Sequence, residues 1–419
     1  MRLFPDKPPP LLPFKQGAFT SRLRTKRAAT LIGIALGTAV AICFLTGLFS
    51  HFQQHPVTWL PIPTAPTWGY RLTQGLHVAT GLAAIPLLLL KLWTVYPNLF
   101  VWPPIKSVLN ALERASIFIL VAAMIFQLAT GTINITQWYP WSFPFTQTHY
   151  AISFVIVGAI LIHLAVKAPD IMAALRRRSD STRAEPDPGP GVEGDAQDAP
   201  PSEQVDREPV LVNQSSAPST STSGLTRRGF LLTGGLAVGA VTLTTVGQTL
   251  SPLEKLAALA PRRPSIGPQG LPVNRTSQAA GITAAAIGAQ YRLSVAGDRG
   301  ADFTLDQLLA MPQSTFDLPI ACVEGWSASA RWSGVPIRDL LDRIQAGQDA
   351  TVRVVSLEKE GNYRVTELPS QFVNDPMTIL ALRIDGEPLD IEHGYPARIM
   401  APNRPGVLQT KWVSRLEVV

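Results

Sequence analysis

Four long apolar runs dominate the first part of the chain. They extend over residues 28–49, 70–93, 115–135 and 150–166. An α-helix rises about 1.5 Å per residue, so about 20 apolar residues cross a bilayer core of about 30 Å. The pattern therefore predicts a bundle of four transmembrane helices over 28–175, preceded by a basic tail at 1–27.

Positive charge is unevenly distributed around these runs. It lies before the first run, between the second and third, and after the fourth, whereas the loops 50–69 and 136–149 contain no charged residue. Loops rich in Lys and Arg remain in the cytoplasm. We therefore expect a cytoplasmic N-terminus and two outward-facing loops. The basic residues concerned are Arg22, Arg24, Lys26, Arg27, Lys91, Lys106, Arg114, Lys167, Arg176, Arg177 and Arg178.

The composition changes at 176–225, where Pro, Asp, Glu, Gln and Ser dominate. A stretch so poor in large apolar residues cannot bury a core, so we predict a disordered cytoplasmic linker.

A fifth apolar run over 226–250 follows, and it opens with the string T-R-R-G-F-L-L. It is either a plain transmembrane helix with a basic inner flank or a twin-arginine export signal kept as an anchor. In both cases the chain beyond residue 250 lies outside the cytoplasm.

Strand patterns appear beyond this fifth run. Short β-rich segments occur at 291–297, 351–358, 378–384 and 412–419. Asp385 and Gly386 form the D-G pair typical of a hairpin turn, and short amphipathic helices are predicted at 304–311 and 336–345. The predicted fold class is therefore multidomain. An all-α transmembrane four-helix bundle and a fifth anchor helix precede a β-rich α+β domain over 265–419.

The composition agrees with a membrane protein. Hydrophobic residues make up 46% of the chain and charged residues 16%, whereas a soluble domain carries about 25% charge. The net charge is +6, but the basic residues flank apolar runs, which indicates membrane topology rather than nucleic-acid binding. The two cysteines, Cys43 and Cys322, lie far apart, so a disulfide framework is excluded. We expect membrane lipid, and no nucleic acid, as a partner.

Cys322 is the first candidate for chemistry. It lies in the string D-L-P-I-A-C-V-E-G-W-S-A, directly after an apolar, strand-like run. A lone cysteine of this kind is commonly a buried, inert residue. A thiolate can also bind a transition metal whose other ligands come from a cofactor. The residues alone leave both alternatives open.

Five ordered strings across 265–419 resemble the sulfite oxidase-like family of molybdopterin-binding oxidoreductases, which includes the catalytic subunit of periplasmic methionine sulfoxide reductase. The strings are C-V-E-G-W-S-A with W-S-G-V-P-I downstream, V-N-D-P-M-T-I-L-A, G-E-P-L, H-G-Y-P-A-R and T-K-W-V. The resemblance implies that Cys322 is the catalytic residue and the thiolate ligand of molybdenum in Mo-molybdopterin. It also implies a set of pterin and phosphate contacts, for which Arg, Lys and backbone N–H donors are suited. These residues are Asn274, Arg275, Ser356, His393, Arg398, Gln409, Thr410 and Lys411.

The chain departs from true sulfite oxidases just after the cysteine. The family has an Asn-Arg pair there that helps to hold an anionic substrate, whereas this chain has Gly325 and Trp326. An oxyanion needs cationic donors close to the metal, so we expect reduction of an S-oxide or N-oxide. Oxidation of sulfite or a similar small substrate, and a non-catalytic membrane-anchored binding domain, remain as alternatives.

Histidines in the apolar runs are the second candidate. His77 lies in the second run, His149 directly precedes the fourth, and His163 lies near the end of the fourth. Ionisable residues inside a membrane are costly and commonly functional. The strings Q-G-L-H-V-A-T-G, T-H-Y and L-I-H-L make the four runs similar to b561-like cytochrome subunits, in which histidines of the second and fourth helices ligate haem b. The resemblance implies one haem between His77 and either His149 or His163, with a second haem if His51 also binds iron. The alternative is a set of hydrogen-bonded histidines without haem.

These features together predict a membrane-bound, molybdopterin-dependent oxidoreductase. Electrons would pass between the quinone pool, a haem b bundle and a molybdenum site on the outer face. The cofactors would carry the redox chemistry, and the protein would bind and orient them. The expected substrate is a small oxide.

Overall fold

The computed structural model describes residues 21, 23–57, 59–101, 103, 105–181, 226–249, 251–263 and 265–419. The predicted linker at 176–225 lies outside these residues from 182 onward, and so does most of the predicted basic tail.

Among the described residues, five helices are long and apolar enough to cross a membrane. Three of them begin after a Ser or Thr whose hydroxyl accepts a backbone N–H of the first turn, namely Thr25, Ser107 and Thr226. Such side chains satisfy N–H groups that have no partner within the helix. The helices are α1 (Lys26–Gln54), α2 (Gly69–Val95), α3 (Val108–Ile135), α4 (Phe145–Ser181) and α5 (Arg227–Val246).

The helices α1 to α4 form the predicted bundle and alternate in direction. Lys91, near the end of α2, donates a hydrogen bond of 2.7 Å to the carbonyl oxygen of Ala29, near the start of α1. Lys167 of α4 pairs with Glu113 of α3 at 2.5 Å. The loops that carry the basic clusters therefore meet at one end of the bundle, and the two uncharged loops meet at the other.

Helix α5 packs against α2 in the opposite direction. Phe230 lies against Trp93, with 5.0 Å between the ring centroids, and a Cβ atom added to Gly234 would lie 2.9 Å from Leu90. The chain leaves α5 at the end of the bundle that bears the uncharged loops. There the carbonyl oxygen of Gln248 accepts a hydrogen bond from the backbone of Ser327, at 2.8 Å.

The C-terminal domain contains two five-stranded sheets. The first has the order β2-β1-β10-β5-β6, with β1 and β10 parallel and the other pairs antiparallel. The second has the order β3-β4-β7-β8, with β9 also paired to β7. The strands are β1 (Arg292–Ala296), β2 (Gly300–Thr304), β3 (Ser314–Ala321), β4 (Ser327–Pro336), β5 (Val352–Ser356), β6 (Val365–Leu368), β7 (Ile379–Ile384), β8 (Glu387–Pro388), β9 (Arg398–Met400) and β10 (Val413–Val418).

Short helices complete this domain, and its core follows the alternation of the strands. In β1, Leu293 and Val295 are fully buried, because side chains two residues apart share one face of a strand. Asp385 and Gly386 both have positive φ, which confirms the D-G hairpin turn between β7 and β8. The helices are α6 (Ala284–Ile287), α7 (Leu305–Ala310), α8 (Ile337–Arg343) and α9 (Ser370–Val373); α7 and α8 were predicted from the sequence.

The side chain of Asn403 joins this domain to the segment between α1 and α2. Its Oδ1 accepts the backbone N–H of Tyr70 at 2.6 Å, and its Nδ2 donates to the carbonyl oxygen of Pro63 at 2.7 Å. The backbone of Asn403 donates to Thr67 at 3.3 Å and accepts from Gln53 at 3.4 Å. The β-rich domain therefore docks directly on the bundle.

Asn403→Gly should weaken this docking. Asn403 has a φ of 52°, which glycine adopts without strain, so the change removes only the side-chain hydrogen bonds. We expect a loss of about 1–3 kcal/mol, measured as a lower thermal midpoint of the detergent-solubilised protein. Gln345→Gly is the control, because Gln345 has a φ of 60° and is exposed. An equal shift in both variants would contradict the docking role.

Candidate functional site

Cys322 lies in a tight turn between β3 and β4. Its backbone N–H donates to the carbonyl oxygen of Trp326 at 2.9 Å, and its carbonyl oxygen accepts from Gly325 at 3.0 Å. Gly325 has a φ of 88°, a conformation that favours glycine. The thiol side chain is 1% exposed, so the turn places the sulfur inside the protein.

The turn at 322–326 lies between the domain and the bundle. Gln74 of α2 donates from Nε2 to the carbonyl oxygen of Val323 at 3.1 Å. A Cβ atom added to Gly325 would lie 2.8 Å from Val78 of α2, and Thr249, just after α5, donates to the carbonyl oxygen of Gly325. Residues of the membrane helices therefore form one wall of the cysteine site.

Burial is the main influence on the thiol. It raises the pKa of Cys322 well above the ordinary value, the carboxylate of Glu324 raises it further, and the ammonium of Lys411 opposes both. Burial, and then the charge of Cys322, raise the pKa of Tyr363. Without a cation beside it, Cys322 is therefore a neutral thiol, and a bound metal would supply the charge that favours the thiolate.

Glu324 joins the cysteine turn to the end of α3. Its Oε1 accepts from Gln137 Nε2 at 2.5 Å, and its Oε2 accepts from Trp326 Nε1 at 3.2 Å. Gln137 Nε2 also donates to the carbonyl oxygen of Asn274 at 2.9 Å, and Arg262 donates to Gln137 Oε1. Burial raises the pKa of Glu324. Sequence reasoning missed this pair, because its members lie 187 residues apart.

Arg398 and the segment 409–411 form a buried cationic pocket. Arg398 is 2% exposed, and it donates to the carbonyl oxygens of His393 at 3.1 Å and Gln409 at 3.2 Å. Lys411 donates to the carbonyl oxygens of Arg275 at 2.7 Å and Glu392 at 2.8 Å. Burial lowers the pKa of Arg398 to about 9, and burial with the charge of Arg398 lowers that of Lys411 to about 7.

The other predicted pterin contacts surround this pocket. Ser356 Oγ donates to the carbonyl oxygen of Lys411 at 2.8 Å, and the hydroxyls of Thr410 and Thr366 lie 2.8 Å apart. Arg275 Nε lies 3.2 Å from a carboxylate oxygen of Glu358. His393 donates from Nε2 to the carbonyl oxygen of Pro268 at 2.6 Å, and Asn274 Oδ1 accepts the N–H of Arg275 at 2.9 Å.

The pocket fits an anionic group. Among the described residues, Arg398 Nε and Gln409 Oε1 are buried without a hydrogen-bond partner. Arg404, which sequence reasoning missed, is also buried and donates to the carbonyl oxygens of Leu408 and Glu367. Buried cations are costly unless they are paired, so the charge and the free donor suit a pterin phosphate.

The histidines of the bundle separate into two groups. His77 and His149 lie together, with 6.3 Å between their ring centroids and an angle of 70° between the rings. They line a cavity of about 230 Å³ that also includes His51, which stacks on Tyr150 at 3.8 Å. His163 lies outside this cavity lining, among the charged groups at the other end of the bundle.

Comparison with known proteins identifies the class of the C-terminal domain. Residues 280–419 match the family model of the oxidoreductase molybdopterin binding domain. This part of the chain is therefore a molybdopterin-binding oxidoreductase domain, as the ordered strings predicted.

Individual known proteins are similar to parts of this chain. The chain is 35% identical over 133 residues to the putative protein-methionine-sulfoxide reductase subunit YedZ1 of Azospira oryzae, covering 31% of this chain and 49% of the relative. It is 28% identical over 154 residues to mitochondrial sulfite oxidase of Drosophila melanogaster, and this match covers 30% of this chain and 27% of the relative. The chain thus spans about half or less of these relatives. A solved structure, the crystal structure of the sulfane dehydrogenase SoxCD from Paracoccus pantotrophus, has 26% sequence identity to this chain and a TM-score of 0.29. The match covers 31% of this chain and 38% of that chain.

Lys411→Met should reduce the amount of pterin that stays bound to the purified protein. A charge-assisted hydrogen bond contributes about 1.5–3 kcal/mol, which corresponds to at least about a tenfold loss of affinity. The measurement is the fluorescence of pterin released from equal amounts of folded protein. Lys359→Met, at an exposed lysine, is the control. Full pterin retention in Lys411→Met would exclude Lys411 from the phosphate contacts.

Proposed function

We propose that this chain is a membrane-bound molybdenum–pterin oxidoreductase that takes electrons from the quinone pool through a haem b bundle and reduces small S-oxides or N-oxides. One observation carries the proposal. Val323, the residue after Cys322, lines the same cavity as His77 and His149. The redox site of the β-rich domain and the histidine pair of the bundle are therefore neighbours in one protein.

The overall reaction balances without a further reactant. A quinol loses two protons and two electrons to become a quinone, and a sulfoxide gains them to become a sulfide and water. The molybdenum–pterin cofactor, when bound, would supply the oxygen-atom transfer, which consumes two electrons. Cys322 would bind the metal, and Arg398 and Lys411 would hold the phosphate. Glu324, close to the cysteine in the chain, is a buried carboxyl group.

The geometry around the histidine pair supports a haem between His77 and His149. His77 Nδ1 donates to the carbonyl oxygen of Cys43 at 2.8 Å, which leaves Nε2 free to bind a metal, as in other metal-bound histidines. A Cβ atom added to Gly47 would lie 2.7 Å from the His77 ring, and one added to Gly131 would lie 3.3 Å from the His149 ring. The two glycines keep side chains away from both imidazoles.

The arrangement of charges supports an outward-facing domain. The basic clusters lie at the end of the bundle opposite the β-rich domain, and the positive-inside rule assigns that end to the cytoplasm. Helix α5 begins at the twin arginines, at the same basic end. An export signal retained as an anchor would deliver the domain to this outer position.

Reduction is favoured over sulfite oxidation by the surroundings of Cys322. The turn carries Gly325 and Trp326 where an anion-binding pair would lie. Arg331, the next arginine along the chain, is exposed and lies 3.6 Å from Asp317 on the surface of β3 and β4. The similarity to the Azospira oryzae relative, which is named as a putative protein-methionine-sulfoxide reductase subunit, supports the same direction.

Cys322→Ser should abolish oxide reduction, because the thiolate is the proposed metal ligand. We expect a rate more than about a hundredfold lower, because loss of the ligand itself should exceed the roughly 10–100-fold loss caused by changes to groups that only support a ligand. The measurement is oxide-dependent reoxidation of a reduced dye by detergent-purified protein, together with molybdenum content. Thr315→Ser, at an exposed position on strand β3, is the control.

Other outcomes would favour the alternatives. Reduction of the haem by sulfite, without any oxide-dependent reoxidation, would reverse the direction of the reaction. Absence of molybdenum from the folded parent protein would favour a non-catalytic binding domain.

Removal of His149 should eliminate the haem spectrum, whereas removal of His163 should preserve it. Of these two histidines, His149 lies beside His77, so His149→Ala would remove a proposed haem ligand and His163→Ala would not. The measurement is the reduced-minus-oxidised absorption spectrum per mole of protein. Loss of haem in His163→Ala, with retention in His149→Ala, would overturn this pairing.

A further inference from the structure

We infer that Gln74 is the positioning residue that holds the molybdenum-binding turn against the histidine pair, so that electrons pass directly between the two sites within one chain. The inference rests on the proposed function and deepens it by naming the contact that joins the sites.

Gln74 has the required position. It precedes His77 by one helical turn on α2, and residues three apart share one face of a helix. Its side chain is buried, at 4% exposed. The amide donates to the carbonyl oxygen of Val323 at 3.1 Å and accepts from Ser50 Oγ of α1 at 3.2 Å. Because both ends of the amide are bonded, its orientation is fixed.

A second contact holds the same turn. Gly325 approaches Val78, the neighbour of His77, so closely that a Cβ atom would lie 2.8 Å from it. Val323 also lines the cavity of the histidine pair. Gln74 and Val78 thus bind the turn on one side of α2, and His77 faces the cavity beside it.

The residues between the sites form a continuous connection. It runs from His77 along one turn of α2 to Gln74, across a hydrogen bond to Val323, and along one peptide to Cys322. Two electrons from each quinol cross in turn and are consumed with two protons by each oxide. Gln74 gains and loses no electron; its hydrogen bond fixes the separation of the sites, on which the transfer rate depends.

Gln74→Leu in the full-length protein tests this role. Leucine keeps similar volume but cannot donate to Val323. We expect the rate at which oxide reoxidises pre-reduced haem to fall severalfold, because electron transfer slows steeply as donor and acceptor move apart. The haem spectrum should stay the same, and oxide reduction by a reduced dye that feeds the molybdenum site directly should fall much less than haem reoxidation. Thr73→Val is the control, because the Thr73 hydroxyl bonds only to carbonyls of its own helix.

Ser50→Ala provides a milder second variant. It removes the hydrogen bond that orients Gln74 but keeps the donor to Val323, so we expect a smaller slowing in the same direction. Unchanged haem reoxidation in both variants would overturn the inference. Equal losses of dye-driven and haem-driven rates would also overturn it, because they would indicate general damage to the cysteine site.

A measurement on cofactor-free protein separates this inference from the proposed function. Alkylation of Cys322, followed by mass spectrometry of its peptide, should be faster in Gln74→Leu than in the parent or in Thr73→Val, because the turn is no longer held on α2. If the parent shows no oxide-dependent haem reoxidation, the proposed function fails, and the alkylation rates still decide whether Gln74 positions the turn. Equal rates in the three proteins would exclude that role.

Discussion

The seating of the cysteine turn on helix α2 is the contact on which the organisation of this protein depends. The turn belongs to the β-rich domain, but its cover consists of Gln74 and Val78 from the bundle and Thr249 from the end of α5. Asn403 joins the same domain at a second place, to the segment between α1 and α2. Contacts at two separate places define how the turn that contains Cys322 lies against the cavity of the bundle.

The electrostatics of the pocket explain why the same domain needs an anionic cofactor. Arg398, Arg404 and Lys411 are all buried, and their hydrogen bonds go to backbone carbonyls. Desolvation disfavours the charged form of each, which is why the pKa of Lys411 lies at about 7. An anion beside Arg398 and Lys411 would offset this cost of desolvation. A metal at Cys322 would in the same way favour the thiolate.

Much of this architecture could be predicted from local patterns. Apolar runs specify helices, alternation specifies strands, and ordered strings led to Cys322 and Arg398. The contacts between domains could not be predicted in this way. Gln74, Gln137 and Asn403 are ordinary polar residues whose partners lie far away in the chain, and no periodicity identifies them. The sequence also could not predict which histidine of α4, His149 or His163, lies beside His77. That depends on how deep His77 lies in the folded bundle.

The burial of Cys322 has a consequence for how the protein is assembled. Once the turn is seated, the sulfur is enclosed by β strands on one side and membrane helices on the other. A bulky pterin approaching from solvent would have to separate these surfaces. We therefore expect the β-rich domain to acquire its cofactor early, while it is still detached from the bundle, so that docking closes a site that is already filled. The protein would then mature in an obligatory order, in which the β-rich domain binds its cofactor before it docks on the bundle.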